Sequence, residues 1–241
     1  MQAESQDSRP SRAEGIESGP AAPPGGLSAR LRERLHDLAG ELRYGTRTGA
    51  RTTAVEFRPD GGIWKNYAPI GYRSFEAAMA RVAVRPGQDV FVDYGAGRGR
   101  VVVLAATRPF RRVLGIEVRS EFATAARVNL RRAARHLRCP QVEIVEADAR
   151  DVGVPDDATI LHFFDPFAGT TLERILDGLL ASHRRHPRTI TILYADDHHL
   201  AELLPARPWI RLVDRVPWTL IRPTHPERCS YGIYRVEPTS T

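Results

Sequence analysis

The chain is organised around Asp89-Val90-Phe91-Val92-Asp93-Tyr94-Gly95-Ala96-Gly97-Arg98-Gly99-Arg100. This stretch begins with a short apolar, β-branched run, which is typical of a buried parallel strand. Three glycines follow at alternate positions, and the apolar run Val101 to Ala106 then predicts a buried helix. Glycine accepts positive φ and lets a ligand approach the backbone closely. Together the strand, the turn and the helix predict a cradle for a nucleotide-like ligand.

The spacing of the glycines distinguishes between two classes of nucleotide site. A dinucleotide fingerprint, G-x-G-x-x-G, would place its third glycine at position 100, where this chain has Arg100. The third glycine is Gly99 instead, so the turn reads G-x-G-x-G. A glycine-rich turn with a purely structural role is the alternative.

Length and composition predict one soluble α/β domain with extensions. At 241 residues the chain suits a single well-buried domain rather than two. The longest purely apolar run, Val101 to Ala106, is far shorter than the roughly 20 residues of a membrane span, so no membrane association is expected. Two cysteines, Cys139 and Cys229, form neither a disulfide framework nor a metal quartet. That cysteine content favours a reducing cytoplasm.

The net charge of +6 has two interpretations. Among the 35 basic residues only Lys65 is a lysine. Such a bias towards arginine is typical of a GC-rich genome. A basic protein also attracts nucleic acid, although no aromatic-interleaved basic stripe accompanies the charge. A nucleic-acid-associated module therefore stays as an alternative.

Three regions are predicted along the chain. Residues 1–26 are dominated by Ser, Pro, Gly, Ala and Glu, and such a segment is expected to be a disordered leader. Residues 27–86 are expected to form a helical and irregular extension that covers the ligand site. Its first part is predicted to be an amphipathic helix packed on the domain as a lid or brace, with a dimer face as the alternative. The helix is indicated by leucines at helical spacing: Leu27, Leu31, Leu35, Leu38 and Leu42.

Residues 87–241 alternate strand and helix with the rhythm of a parallel sheet. Further strands are predicted at 113–118, 142–145, 159–164, 189–195, 210–218 and 229–236. The expected fold is a Rossmann-like three-layer α/β sandwich. Its sheet is mostly parallel with seven strands, it closes with a C-terminal antiparallel hairpin, and a helical extension precedes it.

Acidic residues follow successive strands, at the edge where open α/β sheets bind ligands. Asp93 ends the first strand and Glu117 ends the second. A carboxylate at position 117 would accept hydrogen bonds from both hydroxyls of a ribose. Asp148 follows the third strand, where its side chain and the nearby Ala149 amide would meet an adenine.

The run from Phe91 to Val101, followed by Pro109 to Glu117, resembles bacterial class I S-adenosylmethionine (SAM) dependent methyltransferases. More distantly it is similar to the seven-strand (non-SET) histone-lysine methyltransferases. The resemblance spans roughly residues 42–194 and implies methyl transfer from SAM. It implies Glu117 on the ribose and Asp148 with Ala149 on the adenine. It further implies a set of residues around the methionine portion of SAM: Asp93, Tyr94, Gly95, Gly97 and Gly99.

Two further segments are candidates for substrate contact. Phe164-Asp165-Pro166-Phe167 resembles the (Asn/Asp)-Pro-Pro-(Tyr/Phe) motif of amino-directed methyltransferases, which implies Asp165 as the catalytic residue and Pro166 and Phe167 as substrate contacts. The second proline is missing, so a nucleobase substrate stays open, and a plain turn is the alternative. Tyr67 and Thr46 are candidates for covering the cofactor, with Tyr67 also reaching the substrate. A loop anchored by its aromatic residues is the alternative there.

The resulting hypothesis is a SAM-dependent methyltransferase that transfers the methyl group to an unidentified nucleophile, with an amine of a protein, an RNA or a small molecule favoured. A non-catalytic SAM-binding module or a nucleic-acid-associated module on the same fold is the alternative. No metal is expected, because methyl transfer from a sulfonium needs none and the histidines lack the spacing of a zinc site. The identity of the methyl acceptor and the oligomeric state stay open.

Overall fold

The computed structural model of the chain describes residues 27–50, 56–57, 63–64, 67–164, 169–216 and 231–238. Within these ranges the described part contains seven α-helices: α1 Leu27–Tyr44, α2 Tyr72–Met79, α3 Arg100–Ala106, α4 Ser120–Ala133, α5 Ala149–Val152, α6 Gly169–Arg185 and α7 His198–Leu203. It also contains nine strands: β1 Glu56–Phe57, β2 Ile63–Trp64, β3 Val90–Tyr94, β4 Arg112–Glu117, β5 Val142–Glu146, β6 Ile160–Phe164, β7 Ile190–Ala195, β8 Arg211–Val216 and β9 Tyr231–Val236.

Seven of these strands form one sheet in the order β5-β4-β3-β6-β7-β9-β8. β9 runs antiparallel to both of its neighbours, and the remaining pairs are parallel. The predicted fold class, a Rossmann-like and mostly parallel seven-stranded sheet closed by an antiparallel hairpin, is confirmed. The strand order reverses between β3 and β6. Open α/β sheets bind ligands beyond the carboxyl ends of the strands at such a switch point.

The central strands are buried on both faces, which explains why β3 reads as a continuous apolar run. Phe91 points into one core cluster with α2, α3 and α4. Val90, Val92 and Tyr94 point into the other cluster, on the side of α6 and α7. All five residues of β3 are buried. Because the core surrounds β3, the turn that follows it is held on a rigid base.

One local feature differs from the prediction. A two-residue strand pair, β1 with β2, occurs in the extension that was expected to be helical and irregular. α2 ends at Met79, and Val82 and Val84 beyond it still pack against the core. No helix among the described residues is long and apolar enough to cross a membrane.

The predicted amphipathic helix forms as α1, but the four of its leucines whose burial is described do not face the domain. Leu31, Leu35, Leu38 and Leu42 are 58%, 54%, 54% and 72% exposed. The opposite side of α1 meets the domain through Gly40, which lies against the Tyr72 ring, and through two carboxylates, Asp37 and Glu41. Helical spacing identifies which residues share a face, but it does not identify the partner of that face.

Candidate active site

The glycine turn lies where β3 and β4 end side by side. The backbone N–H groups of Gly95 and Ala96 both donate to the Ile116 carbonyl oxygen at 2.9 Å, which ties the turn to β4. Gly95, Gly97 and Gly99 have φ values of 81°, 53° and 81°, in the region that favours glycine. A Cβ at Gly99 would lie 2.9 Å from the Cβ of Ala126 on α4, so this glycine also permits close helix packing. The result is a glycine loop at the switch-point edge, with no side chain at three of its positions.

Glu117 faces this loop from the end of β4. Its Oε2 accepts from the Gly97 N–H at 2.7 Å and its Oε1 accepts from the Arg119 N–H at 2.9 Å. Burial raises the pKa of this carboxyl, and the two backbone donors partly oppose the rise. Each oxygen keeps acceptor capacity beyond its single backbone donor. A buried carboxylate of this kind is suited to accept two hydroxyl donors from one ligand.

Aromatic side chains cover the same loop. A Cβ at Gly97 would lie 2.5 Å from Cε2 of Tyr67, so the Tyr67 ring lies directly on the turn. Tyr67 also packs against Phe122 with 4.9 Å between ring centroids, and its hydroxyl donates to the Thr48 carbonyl oxygen at 2.9 Å. The Arg98 guanidinium lies about equally far from both rings, at 5.5 and 5.4 Å from their centroids. The extension before β3 therefore covers the glycine turn.

Arg100, directly after the last glycine, connects that extension to the turn. It is 3% exposed. Its Nε donates to Thr48 Oγ1 at 2.7 Å, and its Nη1 donates to the Ile70 carbonyl at 2.8 Å and to Asp37 Oδ2 at 3.0 Å. The guanidinium also lies 4.5 Å from the centroid of the Tyr72 ring. One buried cation thus joins α1, the segment after it and the start of α3.

A second buried polar group lies beneath the turn. His162 Nδ1 and Asp93 Oδ1 are 2.6 Å apart, and both side chains are buried. The Tyr231 ring lies 5.8 Å from the His162 ring, between centroids. Burial raises the pKa of Tyr231, and the charge of Asp93 adds to the rise. Within the described structure, His162 Nε2 and the Tyr231 hydroxyl are buried without hydrogen-bond partners. Three polar groups from β3, β6 and β9 thus meet at the switch point.

The remaining predicted residues lie at different distances from the turn. Asp148 caps α5 by accepting from the Arg150 N–H at 2.9 Å, and its carboxylate also pairs with the Arg150 guanidinium. The Tyr94 side chain points to the opposite face of the sheet, where it stacks on Phe163 and its hydroxyl donates to Gly153. Only its backbone borders the turn. Thr46 hydrogen-bonds to the Tyr72 hydroxyl at 2.8 Å rather than to any residue of the turn.

The predicted substrate motif lies outside the described residues. This applies to Asp165, Pro166 and Phe167; the described part of β6 ends at Phe164. Among the residues that the structure describes, no group of three or more His, Cys, Asp or Glu side chains is arranged to hold a metal ion.

Sequence reasoning missed three residues of this region: His162, Phe122 and Arg100. His162 had a detectable signal, because a histidine in the middle of an apolar strand is unusual unless it has a buried partner. Arg100 was read only as the residue that breaks the dinucleotide pattern. Phe122 carries no signal in the sequence that distinguishes it from an ordinary core aromatic residue.

Comparisons with known proteins support the fold. No protein-family model matches the chain, and no curated protein matches its sequence. Precorrin 8w decarboxylase from Methanobacterium thermoautotrophicum has a TM-score of 0.51 at 20% identity, covering 74% of this chain and 95% of that one. Ribosomal protein L11 methylase from Lactobacillus delbrueckii subsp. bulgaricus has a TM-score of 0.50 at 16% identity, covering 69% and 80%.

A third solved structure has a slightly lower TM-score. An RNA methyltransferase from Salinibacter ruber, in complex with S-adenosyl-L-homocysteine, has a TM-score of 0.49 at 21% identity, covering 72% of this chain and 96% of that one. The first two likenesses show that this chain has a Rossmann-like α/β fold.

Proposed function

We propose that the chain is a SAM-dependent methyltransferase that acts on an amine. The observation that carries this proposal is the contact between the Gly97 N–H and Glu117 at the ends of β3 and β4. It places the glycine loop beside a buried acceptor for ribose hydroxyls, at the switch point of the sheet. Among the structural neighbours is a methyltransferase that binds S-adenosylhomocysteine, which agrees with the proposal.

The described residues fit SAM. The turn has no side chain at Gly97, where the Tyr67 ring now lies, so the methionine portion would take the place of that ring. Glu117 would accept from the ribose hydroxyls. Asp93 would meet the ammonium of the methionine portion, and Asp148 with Ala149 would border the adenine. When bound, SAM supplies a methyl group on a sulfonium, and the protein aligns the acceptor in line with it.

The methyl acceptor is proposed to bind at the end of β6. Asp165, Pro166 and Phe167 follow that strand in sequence, and β6 lies across the switch point from β3. Asp165 would hold the acceptor amine and take its proton if the amine arrives protonated. RNA, a protein side chain and a small molecule all offer such an amine. The distant similarity to non-SET histone-lysine methyltransferases adds a lysine amine to these acceptors.

The test of the function uses methyl-labelled SAM with host lysate separated into protein, RNA and small-molecule fractions. Label retained by one fraction supports the proposal and identifies the acceptor class. Gly97→Val is the matched control, since its added side chain would fill the loop, and it should transfer no label. If the wild-type chain binds SAM but labels no fraction, a non-catalytic SAM-binding module is the better interpretation. If it does not bind SAM, the proposal fails.

A variant of Asp165 tests whether this residue acts in methyl transfer and not in SAM binding. Asp165→Ala is expected to leave SAM affinity within about twofold and to slow transfer by about 100-fold, because orienting a nucleophile contributes several kcal/mol. The control is Asp151→Ala, which removes an exposed carboxylate from α5. Turnover and melting temperature are measured on the same preparation. A full rate from a destabilised Asp165 variant would assign this residue to the scaffold.

A further inference from the structure

α1 presents a continuous apolar row to solvent. We call Leu31, Leu35, Leu38 and Leu42 the leucine row. Seven large hydrophobic side chains are exposed in the described part of the chain, and four of them belong to this row. Single exposed leucines are ordinary on protein surfaces, but a contiguous apolar patch marks an interaction site.

The contacts of α1 prevent the leucine row from turning inward. Asp37 accepts from the Tyr72 N–H and pairs with Arg100. Glu41 accepts from the N–H and the hydroxyl of Thr48. Gly40 lies so close to Tyr72 that a Cβ there would be 2.6 Å from the ring. These three residues occupy the side of α1 opposite the leucines. Rotation of the helix would break all of these contacts at once.

The N-terminal segment of this chain lacks the side chains to cover the leucine row. Residues 1–26 contain only two large apolar residues, Met1 and Ile16. Four leucines along about 17 Å of helix need a matching row of comparable length. Nucleic acid is equally unsuited, because its phosphates favour cations over leucines.

The spacing of the leucine row identifies a matching partner. The intervals are four, three and four residues, which are those of a and d positions in a coiled coil. Helices with this pattern pack against a helix that carries the same pattern. A second copy of the chain supplies an identical row, and a two-fold axis through the middle of α1 would bring the two rows together.

Charges beside the leucine row favour an antiparallel pair. The N-terminal half of α1 carries Arg30, Arg32 and Arg34 around a single Glu33. A parallel pair would place these arginines opposite the same arginines of the partner, whereas an antiparallel pair places the two arginine-rich halves at opposite ends of the interface. Leu31 of one copy then lies beside Leu42 of the other.

We propose that the leucine row is a homodimer interface, formed by antiparallel packing of α1 against α1 of a second copy. The row is short, and a standard interface buries roughly 800 Å² per partner. The dimer is therefore weak and reversible, with a dissociation constant in the micromolar range.

The first experiment is sedimentation equilibrium of the full chain from about 1 to 200 μM, a range that brackets micromolar dissociation constants. The expected result is a monomer–dimer equilibrium. Leu35→Glu combined with Leu38→Glu should weaken dimerisation at least tenfold and keep the melting temperature. Leu212→Glu, at another exposed leucine on β8, should leave the dimer intact. A wild-type chain that is monomeric throughout would overturn the proposal, as would a double variant that still dimerises.

A second experiment tests the antiparallel arrangement. Native cysteines are first replaced by Cys139→Ser and Cys229→Ser. Leu31→Cys and Leu42→Cys proteins are then oxidised separately and as a mixture. The antiparallel pair predicts a disulfide-linked dimer only in the mixture, since a disulfide needs Cα atoms within about 7 Å. Crosslinking of each variant with itself would indicate a parallel pair and would overturn the proposed geometry.

Discussion

Asp93 lies near the end of β3, shortly before the glycine turn, and its buried carboxylate contacts His162. Removing a charged group from water costs free energy unless hydrogen bonds replace the water. The short contact with His162 Nδ1 supplies one such bond and orients the carboxylate. With the proposed function, the other oxygen would be directed at the ammonium of the methionine portion. His162 would then act on the cofactor only through Asp93, as a positioning residue.

His162→Phe tests this role. It should weaken S-adenosylhomocysteine binding by about tenfold or more, because a hydrogen bond to a charged group contributes about 1.5–3 kcal/mol. Binding of 5′-methylthioadenosine, which has the nucleoside but no amino-acid group, should change less than about twofold. His162→Asn, which retains a donor, should recover part of the loss. Calorimetry with both ligands measures this, and an equal loss for both would indicate a general distortion of the site.

Whether the sequence predicted a contact of the site depends on how far apart the two residues lie along the chain. The glycine turn was predicted because its residues are consecutive, and Glu117 was placed at the strand end beside it. The pair of His162 with Asp93 joins residues 69 positions apart, and the Arg100 pair with Asp37 joins residues 63 apart. No periodicity encodes such contacts. They arise when topology brings two strands, or a helix and a turn, side by side.

At the scale of elements, α1 shows how a buried charge can determine packing. An amphipathic helix is expected to bury its leucines. Here Arg100 lies under α1, and an unpaired buried guanidinium is more costly than exposed leucines. The carboxylates of Asp37 and Glu41 therefore take the inner side of the helix. The sequence predicted the helix and its two faces but not which face lies inward, because the decisive partner is on another element.

Arg100→Met should loosen α1 from the domain. Loss of the cation leaves Asp37 and Glu41 without their charged partner, and the expected destabilisation is about 3 kcal/mol. Urea unfolding measures the loss, and hydrogen exchange should locate the faster exchange in α1. Arg131→Met, at an exposed position on α4, is the control and should change little. Adding Asp37→Asn to Arg100→Met should recover part of the stability. If the two effects simply add, the ion pair does not hold α1.

At the scale of the whole molecule, topology was the most predictable feature and side-chain burial the least. Alternating strands and helices with short connections allow few arrangements of a parallel sheet, so the order of β3, β4 and β5 could be anticipated. All of the parallel strands then end at one edge, which brings Gly97, Glu117 and Asp148 to the same side of the sheet. That Glu117 would be almost fully buried, at 6% exposure, follows only from the packing of the folded chain.

The burial of Glu117 gives the ligand-free protein a defined pH dependence. Its folded pKa is raised by burial, so the folded state holds the proton more tightly than the unfolded state. This contribution to the free energy of unfolding is fully present below the unfolded pKa of about 4.3, and it is lost as the pH rises through the raised folded pKa. Above that pH the buried carboxylate is ionised, which lowers the free energy of unfolding. Ribose hydroxyls would reduce this loss by donating hydrogen bonds to the carboxylate.

Glu117→Gln tests how much the ionised Glu117 carboxylate lowers the free energy of unfolding. Glutamine stays neutral and satisfies only one of the two backbone donors, which costs about 1 kcal/mol at every pH. The stability advantage of the wild type over Glu117→Gln should therefore shrink as the pH rises from about 4 to 7. Urea unfolding across that range measures it, with the exposed Glu143→Gln as the control. S-adenosylhomocysteine should restore the advantage at pH 7 in the wild type alone. A difference that stays constant with pH would mean that Glu117 titrates as a solvated carboxyl.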